Sequence, residues 1–173
     1  KSLISLHVTQ ERALAVAVAI EYFQTASLLL DDLPCMDDAT YRRGDICAHK
    51  VHGDASAILA ALALINRSYA LLWASWDTLE LPQRKKAAAI VEQCLGVEGI
   101  LQGQALDLNF SPDSPPADIM NVAKKKTGSL IRLALTLPAI MTETSAKELR
   151  LLESLADLWA LTYQAIDDLK DIT

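Results

Sequence analysis

The sequence is short of cysteine, glycine, proline and excess positive charge, and each shortage excludes a class of protein. Its 3 cysteines show no CxxC spacing, so a disulfide framework or structural zinc site is not expected and a reducing compartment fits best. With only 6 glycines and 6 prolines and a hydrophobic fraction of 51%, the chain is globular rather than disordered. A net charge of −6 argues against a nucleic-acid partner, which would need a basic face.

Long uninterrupted apolar runs are also missing. The segment from Ala57 to Ile65 is apolar throughout, but it stops well short of the roughly 20 residues that cross a bilayer. No signal-peptide pattern opens the sequence. We therefore expect a cytoplasmic protein without a membrane span.

What remains is a helical pattern. Stretches rich in alanine, leucine and valine recur along the chain, whereas no alternation typical of β-strands persists. Helices are predicted over Gln10–Leu30, over Asp54 to about Asp77 with Asp54 as N-cap, and over Pro82 to Leu108. A loop over Asn109–Asp118 follows. The next helix is predicted over Ile119–Met141, kinked or ended near Pro138, and a capping box at Ser145 and Glu148 opens the last helix. The prediction is an all-α bundle in one domain over residues 1–173, which we expect to lack N- and C-terminal parts of a longer chain.

Two acidic clusters lie at the ends of apolar segments. The first, DDLPCMDDATYRRG, contains Asp31, Asp32 and Asp37 and is followed by Arg42 and Arg43. Crowded carboxylates repel one another unless a cation lies between them, and Mg²⁺ commonly binds one or two carboxylates together with substrate phosphates. The guanidinium fork of arginine suits phosphate oxygens. A solvated loop is the alternative for this cluster taken by itself.

The second cluster is YQAIDDLKD, from Tyr163 to Asp171. On a helix, Asp167 and Asp171 share a face and Asp168 lies beside them, which again suggests a divalent cation. Between the two clusters, the run KKKTG places Lys126 and the hydroxyl group of Thr127 near a helix start. The ordinary interpretation of a lysine run is a solvated helix face, and only its position between the clusters favours a phosphate site.

Together these motifs resemble those of the trans-isoprenyl diphosphate synthases, the polyprenyl synthetase family. DDLPCMDDATYRRG resembles the first aspartate-rich motif of that family and YQAIDDLKD the second, with GQALDL (Gly103 to Leu108) and KTG (Lys126 to Gly128) between them in family order. The resemblance covers essentially the whole chain. It implies the type I isoprenoid synthase fold, in which long antiparallel helices surround a central apolar cavity.

The resemblance also implies a metal site and two diphosphate sites. Three Mg²⁺ ions would be held by the two acidic clusters. In the first cluster the ligands would be Asp31 and Asp37, assisted by Asp32, and in the second cluster Asp167, supported by Asp168 and Asp171. Arg42, Lys126 and Thr127 would bind the allylic diphosphate. Arg43 would bind isopentenyl diphosphate, with Gln164 beside the reacting ends. The catalytic set would be Asp31, Asp37, Lys126 and Asp167.

The implied reaction joins isopentenyl diphosphate to an allylic diphosphate, and the implied assembly is a homodimer. In the family, bulky residues four or five positions before the first aspartate stop chain growth early. Here those positions are Ser27 and Ala26, both small, and the next large group is Phe23. This favours geranylgeranyl diphosphate (C20) over farnesyl diphosphate (C15). A class I terpene cyclase and a non-catalytic subunit of a heteromeric synthase are the alternatives.

Overall fold

The computed structural model describes residues 8–109 and 115–172. Helices account for nearly all of the secondary structure in these ranges, which confirms the all-α prediction. In chain order the elements are α1 (Gln10–Asp31), β1 (Tyr41–Arg42), β2 (Asp45–Ile46), α2 (Ala48–His52), α3 (Asp54–Ser75), α4 (Leu81–Leu95), a π-helical turn (Val97–Leu101), α5 (Gln102–Leu108), α6 (Pro116–Lys126), α7 (Gly128–Met141) and α8 (Ala146–Ile172). Residues 10–77 form one compact unit, and residues 78–172 belong to a second.

In the first unit, α1 packs along α3 through a seam of small side chains. Ala19, Ala26 and Ala61 are each 0% exposed, so the two helix backbones can approach closely. The hydroxyl group of Ser68 on α3 donates a hydrogen bond of 2.7 Å to the carbonyl of Ala19 on α1. The ring of Phe23 packs edge-on against Tyr69, with centroids 6.2 Å apart. This seam holds the end of α1 that carries the first acidic cluster.

Many apolar side chains of these two helices are nevertheless exposed within the chain, among them Leu14, Leu59, Leu62 and Trp73. By length and composition, the helices Gln10–Asp31 and Asp54–Ser75 could cross a membrane. The sequence analysis did not identify them because it considered only uninterrupted apolar runs. Core helices of soluble proteins pass the same test, so it is weak evidence for a span.

The β-hairpin after α1 is the element that the sequence interpretation missed. Arg42 pairs with Asp45 across a two-residue turn formed by Arg43 and Gly44, whose φ angles are 56° and 93°. Two central residues with positive φ are the signature of the type I′ turn, which matches the twist of two short strands. The all-α prediction did not include this short hairpin, because an Arg-Gly pair was not interpreted as a turn signal.

Other boundaries differ in instructive ways. Asp54 is the first residue of α3, and the N-cap position belongs to Gly53. The helix predicted from Pro82 to Leu108 is interrupted after Leu95, where Gly96 has an extended backbone (φ −90°, ψ −162°), and again at Gly99 (φ −101°, ψ −120°) inside the π-helical turn. Pro82 does lie in the first turn of α4, as predicted.

The predicted helix over Ile119–Met141 is two helices, since the chain breaks at Thr127 between α6 and α7. Pro138 lies inside α7, which ends three residues later at Met141. The capping box at the start of α8 is confirmed: Ser145 N–H donates to the Glu148 carboxylate at 3.2 Å, and Glu148 N–H donates to the Ser145 hydroxyl at 3.3 Å. The predicted loop over Asn109–Asp118 falls mostly outside the described residues.

Three helices of the second unit meet at one carboxylate. Asp157 on α8 accepts a hydrogen bond of 2.6 Å from Arg132 on α7 and lies 3.1 Å from the amine of Lys124 on α6. Burial by itself would raise the pKa of Asp157, but the hydrogen bonds from Arg132 and Lys124 hold it below the usual value. The ionised form is therefore favoured by folding.

This predicts a pH-dependent loss of stability on removal of the carboxylate. In the full-length protein, Asp157→Asn should lower the free energy of unfolding at pH 7 by about 1.5–3 kcal/mol, the usual range for hydrogen bonds to charged groups. Because the folded-state pKa is depressed, the contribution is complete above the unfolded pKa of about 3.9 and is lost as the pH falls below it. Urea unfolding at pH 7 and pH 3 measures this, and an equal difference at both values would contradict the assignment.

Candidate diphosphate and metal site

The loop after α1 folds back on the end of the helix. α1 ends at Asp31, shortly before Pro34, and proline disfavours helical geometry in the residue that precedes it. The backbone N–H of Asp37 then donates a hydrogen bond of 2.9 Å to the carbonyl of Asp31. Asp38 follows with a φ of 46° and makes a salt bridge of 3.0 Å with Lys50. The fold thus brings together Asp31 and Asp37, the two principal metal ligands predicted in this motif.

Their environments suit a cation. Asp31 is half-buried and Asp37 is exposed, so both residues remain accessible, and the backbone hydrogen bond keeps their main chains together. No group of three or more His, Cys, Asp or Glu side chains that could hold a metal ion occurs among the described residues. Magnesium does not require such a cage, because it retains waters and binds substrate phosphates beside one or two carboxylates. The donor chemistry of Asp31 and Asp37 therefore fits Mg²⁺.

Asp32 has a different partner from the one predicted for it. Its carboxylate is only 3% exposed, and Arg42 donates to the same oxygen from Nε at 2.8 Å and from Nη2 at 2.5 Å. A buried carboxylate needs such a partner, since an unpaired charge would be costly. The hydrogen bond to Asp32 raises the pKa of Arg42, and the charges of Asp31 and Asp37 add to the effect.

The same arrangement explains the hairpin. It returns the chain so that Arg42, on β1, reaches Asp32 at the end of α1. The thiol of Cys47, just after β2, is also buried, and its pKa is raised by burial and by a hydrogen bond with Asp32. These contacts favour a role for Asp32 in holding Arg42. Its predicted assistance to magnesium stays a prediction.

Lys126 and Thr127 lie at the junction of α6 and α7, in the second unit. The amine of Lys126 donates a hydrogen bond of 2.5 Å to Asp107 on α5. Thr127 N–H closes the last turn of α6 on the carbonyl of Ala123 at 3.1 Å. The next residue is Gly128, where an added Cβ would lie 3.0 Å from the Cβ of Ala160 on α8. Close packing against α8 therefore explains why glycine follows the lysine and threonine.

The lysine run is not a uniformly solvated face. Its three amines have three different partners: Asp157 for Lys124, the carbonyl of Glu98 and the amide of Gln102 for Lys125, and Asp107 for Lys126. In the sequence, GQALDL was identified as a family motif, but no role was predicted for Asp107. The signal that could have found it was an acid on a short helix near a lysine run of opposite charge.

The second acidic cluster lies on the last turns of α8. The helix continues to Ile172, which supports the one-turn spacing between Asp167 and Asp171. Gln164, one turn earlier, is half-buried. The side chains of Asp167, Asp168 and Asp171 are outside the described residues, so their predicted role as metal ligands stays a prediction.

Comparison with known proteins identifies the family. The profile of the family described as Polyprenyl synthetase matches residues 2–173. The chain belongs to the polyprenyl synthetase family. A geranylgeranyl diphosphate synthase of Pseudescherichia vulneris is 38% identical over 161 residues, which are 91% of this chain and 52% of that protein. The chloroplastic geranylgeranyl pyrophosphate synthase 3 of Arabidopsis thaliana is 33% identical over 93% of this chain and 46% of its own length.

Solved structures agree with this membership. An FPP/GFPP synthase from Zymomonas mobilis, in its apo form, matches with a TM-score of 0.91 and 32% identity over 99% of this chain and 63% of that one. A geranyltransferase from Helicobacter pylori, complexed with magnesium and isoprenyl diphosphate, matches with a TM-score of 0.81 and 30% identity over 92% of this chain and 52% of that one. The fold is therefore that of the isoprenoid synthases, and the chain spans about half the length of the curated relatives.

Proposed function

We propose that the full-length protein is a trans-prenyltransferase that condenses isopentenyl diphosphate with an allylic diphosphate, with geranylgeranyl diphosphate as main product. The observation that carries the proposal is the folded first motif, in which a backbone hydrogen bond of 2.9 Å joins Asp37 to Asp31. Membership of the polyprenyl synthetase family and the names of the relatives support the reaction class. The small side chains at Ser27 and Ala26 support the C20 product.

The residues of the chain have distinct tasks in this reaction. Asp31 and Asp37 would hold magnesium, and the proposal includes three Mg²⁺ ions per site with Asp167, Asp168 and Asp171 as further ligands. Bound Mg²⁺ would neutralise negative charge on the departing diphosphate, which lowers the barrier to ionisation of the allylic substrate. The similar geranyltransferase from Helicobacter pylori is complexed with magnesium and isoprenyl diphosphate, which supports magnesium as the cofactor.

The positive side chains bind and orient the two substrates. Arg42, fixed by Asp32, and Lys126, fixed by Asp107, would bind the allylic diphosphate together with Thr127. Arg43, exposed at the tip of the hairpin, would bind isopentenyl diphosphate. The allylic cation formed on ionisation is attacked by the double bond of isopentenyl diphosphate, and the released diphosphate takes the proton. Gln164 would lie beside the reacting ends.

The assembly and location are proposals as well. Exposed apolar side chains on α3, including Leu59, Leu62 and Trp73, support a homodimer that would cover them. The cysteines are free, which fits a reducing compartment such as the cytoplasm. We propose a protein without a membrane span and without a nucleic-acid partner. Light scattering on the full-length protein tests the oligomeric state, and a monomer would contradict the homodimer.

Product analysis tests the function. The full-length protein is incubated with isopentenyl diphosphate, Mg²⁺ and an allylic diphosphate of 5, 10 or 15 carbons, and the products are dephosphorylated and separated by chromatography. We expect a C20 alcohol from each primer and none when the metal is chelated. A cyclic hydrocarbon would indicate a terpene cyclase instead. No product from the chain alone, with elongation restored by a partner protein, would indicate a non-catalytic subunit.

A further inference from the structure

The backbone of Lys126 and its side-chain amine both contact the short helix α5. A Cβ placed on Gly103 of α5 would lie 2.2 Å from the backbone nitrogen of Lys126, 2.7 Å from its Cα and 2.5 Å from the carbonyl carbon of Lys125. These are backbone atoms, which cannot rotate away as the tip of a flexible side chain could. Gly103 is therefore required by space, because only glycine lets α5 approach the end of α6 so closely.

One turn further along α5, Asp107 contacts the other end of Lys126. Residues four apart on a helix share a face, so the face that presents Gly103 to the backbone also presents Asp107 to the amine. The amine and carboxylate are 2.5 Å apart, and their side chains are 26% and 37% exposed. The short distance and partial burial are typical of a charge-assisted hydrogen bond rather than a freely solvated pair.

The neighbouring lysines show that this contact is selective. Lys124 and Lys125 line a cavity of about 700 Å³ together with Glu98 and Gln102, whereas Lys126 is not among the lining residues of that cavity. Lys126 is directed instead to the side of α6 that faces Gly103 and Asp107. Lys126, the lysine that the family motif assigns to the substrate, thus has a backbone close to Gly103 and an amine paired with a carboxylate of α5, whereas the amine of Lys125 bonds the carbonyl of Glu98 and the amide of Gln102.

We propose that Gly103 and Asp107 are positioning residues, which together set the amine of Lys126 at the place where it binds the diphosphate group of the substrate. This inference rests on the proposed function. Gly103 fixes the backbone from which the side chain starts, and Asp107 fixes the direction in which the amine points. Neither residue needs to touch the substrate.

The substitution Asp107→Asn distinguishes a purely electrostatic effect of Asp107 from a positioning role, because the two predict opposite changes in diphosphate affinity. If Asp107 only competes with the substrate for Lys126, then Asp107→Asn removes a negative charge beside an anion site and should tighten diphosphate binding. If Asp107 positions the amine, the same change should weaken binding. The substitution keeps the size of the side chain and lies at a partly exposed position, so folding should be little affected.

Calorimetry of inorganic diphosphate binding in saturating MgCl₂ provides the test, with full-length wild type, Gly103→Ala, Asp107→Asn and Asp157→Asn. We expect about tenfold weaker binding for Asp107→Asn, and weakening at least as large for Gly103→Ala. The matched control is Asp157→Asn, which removes a carboxylate from Lys124 instead of Lys126 and should leave the Kd within about twofold while lowering the Tm. In steady-state assays, Asp107→Asn should raise the KM for the allylic substrate more than that for isopentenyl diphosphate.

The outcomes separate this inference from the proposed function. Unchanged or tighter binding by Asp107→Asn, with normal binding by wild type, would overturn the positioning role and leave the proposed function intact. Failure of wild type to bind diphosphate would overturn the proposed function and the inference with it. Alanine in a helix is normally more stabilising than glycine, so a raised Tm for Gly103→Ala would overturn the close backbone contact. A lowered Tm, or failure to fold, supports that contact, and Asp107→Asn then decides the rest.

Discussion

Alanine at Asp31 or Asp37 in the full-length enzyme should lower the rate of condensation by about three orders of magnitude, which corresponds to about 4 kcal/mol of transition-state stabilisation. The physical reason is that these carboxylates would hold the cations that neutralise the departing diphosphate. They are the two acids of the first motif that the loop brings together, through the 2.9 Å hydrogen bond from Asp37 N–H to the carbonyl of Asp31. Initial rates measured across a magnesium titration give the size of the effect.

The same loop offers a matched control. Asp38 is adjacent to Asp37, but its carboxylate pairs with Lys50 at 3.0 Å at an exposed position. Asp38→Ala should therefore leave the rate within a few-fold of wild type and change the Tm little, because exposed pairs contribute at most about 1 kcal/mol. A wild-type rate for Asp31→Ala in saturating magnesium, or an equal loss for Asp38→Ala, would contradict the assignment of the metal ligands.

Thermal stability distinguishes Asp32 from its neighbours. The carboxylate of Asp32 is buried and bonded to Arg42, so Asp32→Ala should lower the Tm measured without metal. It should also lower the activity measured with magnesium. Asp31→Ala and Asp37→Ala should lower activity while leaving the Tm of the metal-free protein nearly unchanged. An Asp32→Ala protein with normal Tm would mean that Asp32 does not fix Arg42.

Local patterns predicted the features that depend on local physics. The helices over α1 and α3, the proline in the first turn of α4 and the capping box of Ser145 with Glu148 all follow from propensity and short-range hydrogen bonds. The misses have equally local causes. The Arg43-Gly44 turn was overlooked, and two glycines, Gly96 and Gly99, were not interpreted as a break between α4 and α5.

The pairing of charges could not be obtained in this way. The sequence analysis assigned the charged residues of its candidate site to external ligands, and thus placed Asp32 with magnesium and Arg42 with diphosphate. Their mutual contact depends on a hairpin that brings together residues ten positions apart, and the contact of Lys126 with Asp107 spans 19 positions. Such pairs are set by tertiary structure. Arg42 and Lys126, both predicted to bind the allylic diphosphate, are therefore each paired with a carboxylate of the chain itself.

Changing the large side chain in the middle of α1 should change the length of the product. In the proposed binding mode the hydrocarbon tail runs along α1 away from Asp31 and passes the small residues Ser27 and Ala26. It stops at Phe23, which is 5% exposed and packs edge-on against Tyr69 at 6.2 Å. If the residue that ends the hydrocarbon cavity is Phe23 instead of Ala26, the cavity is longer by roughly 4.5 Å at about 1.5 Å rise per residue. This length is close to one five-carbon unit.

The expected products follow from that cavity length. Phe23→Ala should shift the main product from C20 to C25 or longer, since removal of the ring opens the next turn of the helix, whereas Tyr69→Phe keeps both rings and should retain C20.

Ala26→Tyr should shorten the product to C15. Because Ala26 is 0% exposed beside the seam with α3, the Tm of that variant must be measured, as overpacking costs typically 1–3 kcal/mol. Ser27 is only half-buried, so Ser27→Phe should give the same shortening with a smaller loss of stability. If wild type stops at C15 and Phe23→Ala leaves the product unchanged, α1 does not set the length, because the group that ends chain growth must then lie on another element.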